Sequence, residues 1–514
     1  MRPRTALLVA ALGGLVSGLA VFPRAWPCVA LGLVPLGFAL APLEPPPEGR
    51  WRRWLEGGLR GLAYGAAAHA LLHGFVLSAL VSFTGSIAVG AIGLAAHLAV
   101  QGLGWAAAGV VTVRLARVGV PRWLAFGAGA FAGTLVPSVF PWTIAGLLTP
   151  MPALLQLADL VGEHGVTALV AIAMGLVAEG ASIAIARRAE AKRAALVAIA
   201  GAGLIALLYV HGVLRMARVD AERDRAPRVR VALLQPDIEA HERWELMMTP
   251  VTLAKLSGLT RAAEAEGVDL TIWPEAAYPY PVASVAREDM PGAMAILQEG
   301  VRGPILTGLI MNAPDGSKHN SAVVCEDGKL SVPYHKMHLV WFGEMVPFGD
   351  VSPWMRKTFA LGLGLSPGKH QAILPAARGR VQSAVLNCLE DILPQAGREA
   401  FDGQRPNLLV NVTNDAWFVG TAQGELHARV SVMRAIELRR DMVRAVNRGH
   451  TAWVDAAGRV RARYDAAAAG TLIAEPALLD TVPTAYARYG DVPFAAGIGA
   501  ACAAIIARRR RRPS

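Results

Sequence analysis

Apolar residues follow two rhythms along this 514-residue chain. Up to about residue 214, and again from residue 492, they form near-continuous runs. Eight of these approach the ~20 residues that cross a bilayer: 6–22, 28–43, 57–80, 87–113, 124–140, 166–185, 194–214 and 492–507. The second and the last are short, so flanking Arg and Tyr side chains would have to snorkel. Between residues 228 and 478 the pattern changes to short β-rich runs, "VRVALLQ", "DLTIWPE", "PILTGLI", "SAVVCE", "SAVLNC" and "LLVNVTN". Helical patterns at 249–266 and 424–440 alternate with them, which predicts an α/β domain. "CEDGKLSV" carries the Asp-Gly turn of a hairpin, and "VDAAGRVRARY" suggests a second one. The expected organisation is an integral membrane α-helical bundle of about eight spans plus an α/β domain. Seven spans fall in residues 1–218, the domain in 228–478, and the last span with a basic tail in 488–514.

Composition agrees: 54% hydrophobic, 17% charged and a mean hydropathy of +0.39 imply a membrane protein. The net charge of +11 does not point to nucleic acid, because the basic residues sit in clusters between the apolar runs. Arg2 and Arg4, then Arg50, Arg52 and Arg53, then Arg114, Arg117 and Arg122, then Arg187, Arg188, Lys192 and Arg193 mark one side. By the positive-inside rule these ends and the Arg508–Arg512 tail are cytoplasmic, so the α/β domain is extracytoplasmic. The first run has the basic start of a signal peptide, but it lacks a small-x-small site and six more spans follow, so cleavage is not expected. Cys28, Cys325, Cys388 and Cys502 lie too far apart for a disulfide framework or a metal cluster. His335, His338 and His427 lack metal-like spacing and read as structural or surface residues.

Three groups stand where strands of the α/β domain are expected to end. Glu275 closes "DLTIWPE", Lys336 follows "LSVPYHK", and Cys388 closes "QSAVLNC". Strand ends are where α/β sheets gather ligand-handling groups. Each also has a plain alternative: a helix N-terminal acid, a solvated loop charge, a core thiol.

The ordered motifs "WPEAAYP", "HNSAVVCEDGKLSVPYHKMHLVWFGEMVPF", "LNCLEDI" and "NVTNDAWF" resemble the nitrilase superfamily with its Glu-Lys-Cys triad. With eight apolar spans, "FPWTIAG" and "TAYARYGD" added, the whole chain is similar to the bacterial apolipoprotein N-acyltransferases. The resemblance implies an α-β-β-α sandwich with Cys388 as nucleophile, Glu275 as base and Lys336 as the essential lysine. It also marks Glu344, Glu390 and Trp244 as supporting residues, and Asp415 and Trp417 of "NDAWF" as candidate pocket residues. Two positions depart from the pattern: Leu389 stands where an aromatic tyrosine is usual, and Trp341 interrupts a usual "VPFGE". The implied reaction moves an acyl chain from a phospholipid, through a Cys388 thioester, to the α-amino group of a diacylglyceryl-cysteine lipoprotein acceptor. No metal or organic cofactor is needed. The implied location is the bacterial inner membrane, with the catalytic domain on the periplasmic side.

The residue types suit that chemistry. A free thiol with a pKa of ~8.5 becomes a nucleophile when an ammonium favours the thiolate and a carboxylate takes the proton. Lys336 and the Leu389 N–H are the expected oxyanion donors. Two other readings compete: a membrane-bound amidase of the same superfamily, and a non-enzymatic transporter or scaffold. The second conflicts with the scarcity of acidic residues at the span centres, Glu179 being the main exception. A last expectation concerns residues 351–368, "VSPWMRKTFALGLGLSPG", read either as a core helix or as a mobile arm with Trp354 and Phe359 at the membrane surface.

Overall fold

The computed structural model describes residues 3–40, 52–239, 246–341, 343–345 and 364–511. The chain divides into two compact units, Met1–Met216 with Tyr489–Ser514, and Ala217–Arg488.

The first unit is helical because its apolar runs have no water to satisfy their backbone groups, and a helix satisfies them internally. Among the described residues, five helices are long and apolar enough to cross a membrane: Pro3–Val21, Ile87–Arg117, Ala158–Ala186, Arg188–Arg225 and Val492–Arg510. A sixth candidate, Trp54–Leu72 with Phe75–Ser82, bends by 62° at its break. The remaining two expected spans are short helices, Cys28–Leu40 and Arg122–Thr134. In the second, the chain leaves the helix at Leu135 and runs irregularly past Phe140, so "VPSVFPW" had inflated the apolar count. Small residues bring the helices together. A Cβ on Gly109 would lie 2.1 Å from the Gly57 carbonyl oxygen.

The helix expected at 166–185 begins earlier, at Ala158, and carries a non-helical residue, Gly162 (φ 70°). That break places Asp159 and Glu163 within the apolar unit, where both are buried. Asp159 accepts from Arg215 Nε at 2.9 Å, and the Thr143 hydroxyl donates to Glu163.

The second unit contains two sheets. The first comprises β1 (Val231–Gln235), β2 (Leu270–Ile272), β3 (Val282–Ala283), β4 (Ile305–Asn312), β5 (Lys318–Glu326), β6 (Lys329–Leu330), β7 (Tyr334–His335) and β14 (Gly470–Ala474). The second runs in the order β13-β12-β11-β10-β9-β8, with β8 at Ile373–Ala376, β9 at Val381–Asn387 and β10 at Leu408–Thr413. It continues through β11 (Met442–Val446), β12 (Thr451–Val454) and β13 (Val460–Tyr464). The β5–β6 hairpin turns through Asp327 (φ 50°) and Gly328 (φ 73°), both left-handed, as the Asp-Gly signal requires.

β1 shows why its run is apolar throughout. Val231 and Leu233 join Val385, Val410 and Val443 of the second sheet in one core, while Ala232 and Leu234 pack with Leu253 and Leu256 of the Thr249–Ala265 helix. Burial on both faces removes the polar alternation of a half-exposed strand. The Gln423–Leu438 helix packs on β11 of the other sheet, completing the α-β-β-α sandwich.

Candidate active site

β9, β10 and β11 are parallel, so their C-terminal ends lie side by side, and Cys388 is the first residue beyond β9. Its backbone is left-handed (φ 53°), an uncommon conformation for a residue with a Cβ and one that persists where its surroundings enforce it. Those surroundings are visible. Asn411 Nδ2 donates to the Leu386 carbonyl at 2.8 Å and to the Cys388 carbonyl at 3.2 Å, and the Asn387 N–H donates to Glu390 Oε2 at 2.8 Å. The thiol-bearing residue is thus held half-buried at the head of a 3-10 turn, Cys388–Ile392.

Glu275 follows β2 and is buried, and the next residue, Ala276, is also left-handed (φ 42°). This turn rests on Gly308 of β4, where a Cβ would lie 2.4 Å from Ala276 N and 2.8 Å from Glu275 Cα. Lys336 follows β7 and is only 1% exposed. Its Nζ lies 2.8 Å from Glu344 Oε2 and 3.5 Å from Glu275 Oε1. Burial alone would lower the ammonium's pKa, but Glu344 and then Glu275 outweigh it and hold the pKa above its ordinary value. Burial works the other way on Glu344, yet Lys336 keeps that carboxyl below its usual range.

Glu390 is completely buried and does not hold Lys336 through a direct hydrogen bond. Its Oε1 accepts from the backbone N–H of Met337 (2.8 Å) and His338 (3.0 Å), and its Oε2 from the Tyr334 hydroxyl (2.7 Å). Together with its bond to Asn387, this ties the Lys336 loop to the turn that bears Cys388. Burial, opposed first by Lys336, raises the Glu390 pKa.

The thiol departs from the expectation of a lysine-stabilised thiolate. Burial first, then Glu275, push the Cys388 pKa well above its ordinary value, and the pull of Lys336 is not enough to reverse this. On that balance the Cys388 side chain is held toward its protonated form.

Asn320 on β5 joins the cluster, and sequence reasoning did not single it out. Its Nδ2 donates to Glu275 Oε1 (2.7 Å) and Glu344 Oε1 (2.9 Å), and its Oδ1 accepts from Asn387 Nδ2 (3.0 Å). Its backbone carbonyl accepts from the Lys336 N–H at 2.8 Å. The available signal was its position inside "HNSAVV", a polar residue at the start of the buried stretch of β5.

Asp415 is buried beneath this group. It pairs with His427 Nδ1 (3.0 Å) and Arg444 Nη2 (3.3 Å), which hold its pKa down against burial. His427 is therefore a buried partner of two carboxylates, reaching Asp391 through Nε2 at 2.8 Å as well. Leu389 is half-buried in the 3-10 turn, and Trp417 lies in the turn Ala416–Phe418. Trp244 and most of the expected arm, including Trp354 and Phe359, lie outside the described residues. The end of that segment packs on the site: Leu365 N–H donates to the Glu344 carbonyl (3.1 Å) and Gly368 N–H to the Lys336 carbonyl (2.8 Å). Cys325 is buried within β5, beyond reach of this chemistry.

Residues 230–486 match the carbon-nitrogen hydrolase family. The apolipoprotein N-acyltransferase of Geobacter metallireducens is 33% identical over 386 residues, 72% of this chain and 71% of that protein. That of Bradyrhizobium diazoefficiens is 31% identical over 72% of this chain and 70% of its own. That of Methylococcus capsulatus is 29% identical over 99% of this chain and 97% of its own, so the likeness includes the membrane helices. A strand-end thiol beside a buried lysine and two carboxylates, set in a carbon-nitrogen hydrolase domain, agrees with those likenesses, and the chain belongs to the apolipoprotein N-acyltransferase family.

Proposed function

We propose that this protein transfers an acyl chain from a phospholipid to the α-amino group of a lipoprotein's N-terminal diacylglyceryl-cysteine, through a thioester on Cys388. The observation that carries the reading is Lys336, buried and held between Glu275 and Glu344 beside the thiol. In the first half-reaction Glu275 takes the Cys388 proton as sulfur attacks the ester carbonyl. Lys336 and the Leu389 N–H receive the oxyanion, a contribution of about 2.7–4 kcal/mol per donor. Collapse forms the thioester, and Glu275 returns its proton to the leaving lysophospholipid alcohol. In the second half-reaction the α-amine attacks the thioester. An amine with a pKa of ~7.7–8.0 is partly neutral near pH 7.5, and Glu275 accepts the proton it sheds and passes it to the Cys388 sulfur as the C–S bond breaks and the amide is released.

The alternation of basic loops supports an extracytoplasmic catalytic domain, which in a bacterium with two membranes faces the periplasm. A free amidase of the same superfamily needs no such membrane unit, and relatives that match across nearly the whole chain favour acyl transfer.

Peptide mass spectrometry of enzyme incubated with phospholipid alone tests the covalent step. A thioester-linked acyl group is expected on the Cys388 peptide and absent from Cys388→Ala. Lysophospholipid release by Cys388→Ala would sink the mechanism. A cytoplasmic reporter should be active when fused after Ser514 and silent when inserted near Gly316; the reverse pattern would exclude lipoprotein maturation as the task.

A further inference from the structure

His427, on the Gln423–Leu438 helix, is fully buried and takes no part in the steps above. One of its nitrogens meets Asp391, inside the turn that begins with Cys388, and the other meets Asp415, in the segment after β10. A neutral imidazole has one N–H and one lone pair, so it donates to only one carboxylate; the imidazolium donates to both. Two carboxylates at 2.8 and 3.0 Å therefore select the charged ring. Asp415 in turn acts electrostatically on the Cys388 thiol.

We propose that His427 is a positioning residue for acylation: as an imidazolium it ties the Cys388 turn to the Asp415 segment, and losing its proton slows attack by the thiol without weakening lipid binding. This rests on Cys388 being the nucleophile. Deprotonation would leave one ring nitrogen as a lone pair facing a carboxylate, so one of the two ties becomes repulsive.

The charged groups that face the ring are Asp391 from the turn, Asp415 from the segment after β10 and Arg444 from β11. The Pro394–Glu399 helix also packs on this helix, but it meets it at Gly397, against the Arg434 side chain. Burial and then Arg444 oppose the charge, and Asp391 with Asp415 outweighs them, raising the pKa to about 9. Because the folded value exceeds the unfolded one of ~6.5, the stability the tie contributes is full below pH ~6.5, and the tie itself is lost only as pH rises through about 9. Lys336 and Cys388 are both held above their ordinary values, and ionising the thiol would speed attack, so neither explains a decline there.

The test is single-turnover lysophospholipid release by the full-length enzyme in detergent micelles containing a diacyl phosphatidylethanolamine, from pH ~6 to ~10. The rate should fall through about pH 9 on a one-proton curve, with the KM for lipid unchanged. His427→Gln should be slower by on the order of tenfold to 100-fold, with an unchanged KM and no decline through that range. A merely structural role would lower the melting temperature and the active fraction but leave the pH profile per active site unaltered. Should His427→Gln fail to fold, Asp415→Asn removes one carboxylate that holds the proton and should move the decline to lower pH. A rate for the unmodified enzyme that stays flat through pH 9, or a His427→Gln profile like the unmodified one, overturns the proposal. Cys388→Ala separates the two ideas: its release of lysophospholipid would sink the nucleophile assignment, whereas its inactivity beside a normal His427→Gln sinks only this one.

Discussion

Two of the buried charge clusters in the α/β unit, those around Lys336 and Arg444, are balanced differently. Around Lys336 there is one ammonium for Glu275, Glu344 and the more distant Glu390. Around Arg444 there are two cations, Arg444 and His427, for two carboxylates, Asp391 and Asp415. With His427 protonated, the second cluster balances its charges one for one, although Arg444 Nε finds no hydrogen-bond partner among the described residues. In the first, burial and then Glu275 push the Cys388 thiol pKa up against the pull of the single ammonium. Burial is common to both, so the contrast between the two clusters lies in how their charges are balanced.

Removing the cation from each cluster should have the largest effects and should diverge. Lys336→Met is expected to cut acylation by about 10³-fold or more, read as lysophospholipid release, because it removes an oxyanion donor and the partner of two carboxylates at once. Lys336→Arg should fail as well, since a planar guanidinium does not replace a compact ammonium in a packed site. Arg444→Met should act mainly on stability, costing about 3–5 kcal/mol in denaturant unfolding, because it strands buried carboxylates. If Arg444→Met keeps the melting temperature, the neutral cluster is not the structural one.

Next comes Gly308→Ala. Its methyl would strike the turn that carries Glu275, so acylation should fall by on the order of tenfold to 100-fold with little change in the KM for lipid. An unaffected rate would mean the base is not positioned by that contact.

Stability against pH sharpens the comparison with a smaller effect. Glu344 has a folded pKa below its ordinary value, so its contribution is present above pH ~4.5 and is lost as pH falls through the folded value. His427 is raised, so its contribution is full at low pH and is lost on the alkaline side, through about 9. Glu344→Gln should therefore flatten the acid limb of the melting-temperature profile, and His427→Gln the alkaline one. The smallest effect is expected from Cys325→Ala. That thiol is buried in β5 away from both clusters, so acylation should stay within about twofold, with a stability loss of ~1 kcal/mol.

The sequence made the strands readable because burial on both faces leaves uninterrupted apolar runs, as in "VALLQ" and "LLVNVT". Glu275 and Cys388 were legible as chemically distinctive residues closing apolar runs, and Lys336 as a charge just past the short strand Tyr334–His335. Neither Asn320 nor the Arg444 cluster could be read in the same way. Asn320 is one polar residue inside a strand, and its importance comes from meeting Glu275, Glu344 and Asn387 across separate loops. Asp391, Asp415, His427 and Arg444 come from four different elements, and charge neutrality among them is a property of the folded unit alone. In the membrane unit the limit was geometrical: hydropathy counts apolar residues whether or not the helix continues. That is how the 124–140 run overestimated a helix that ends at Thr134, and how the 166–185 run missed the helix before Gly162.

The four bonds accepted by Glu390 bear on how long an acylated intermediate can wait. A ping-pong enzyme must store its activated chain until the second substrate arrives, and during that time any loosening of the site admits hydrolysis. Because one carboxylate grips Tyr334, Met337, His338 and Asn387, the two loops that bear the ammonium and the sulfur are fastened to the same point. Thermal displacement of one then carries the other with it. Their separation is protected even when their absolute positions drift.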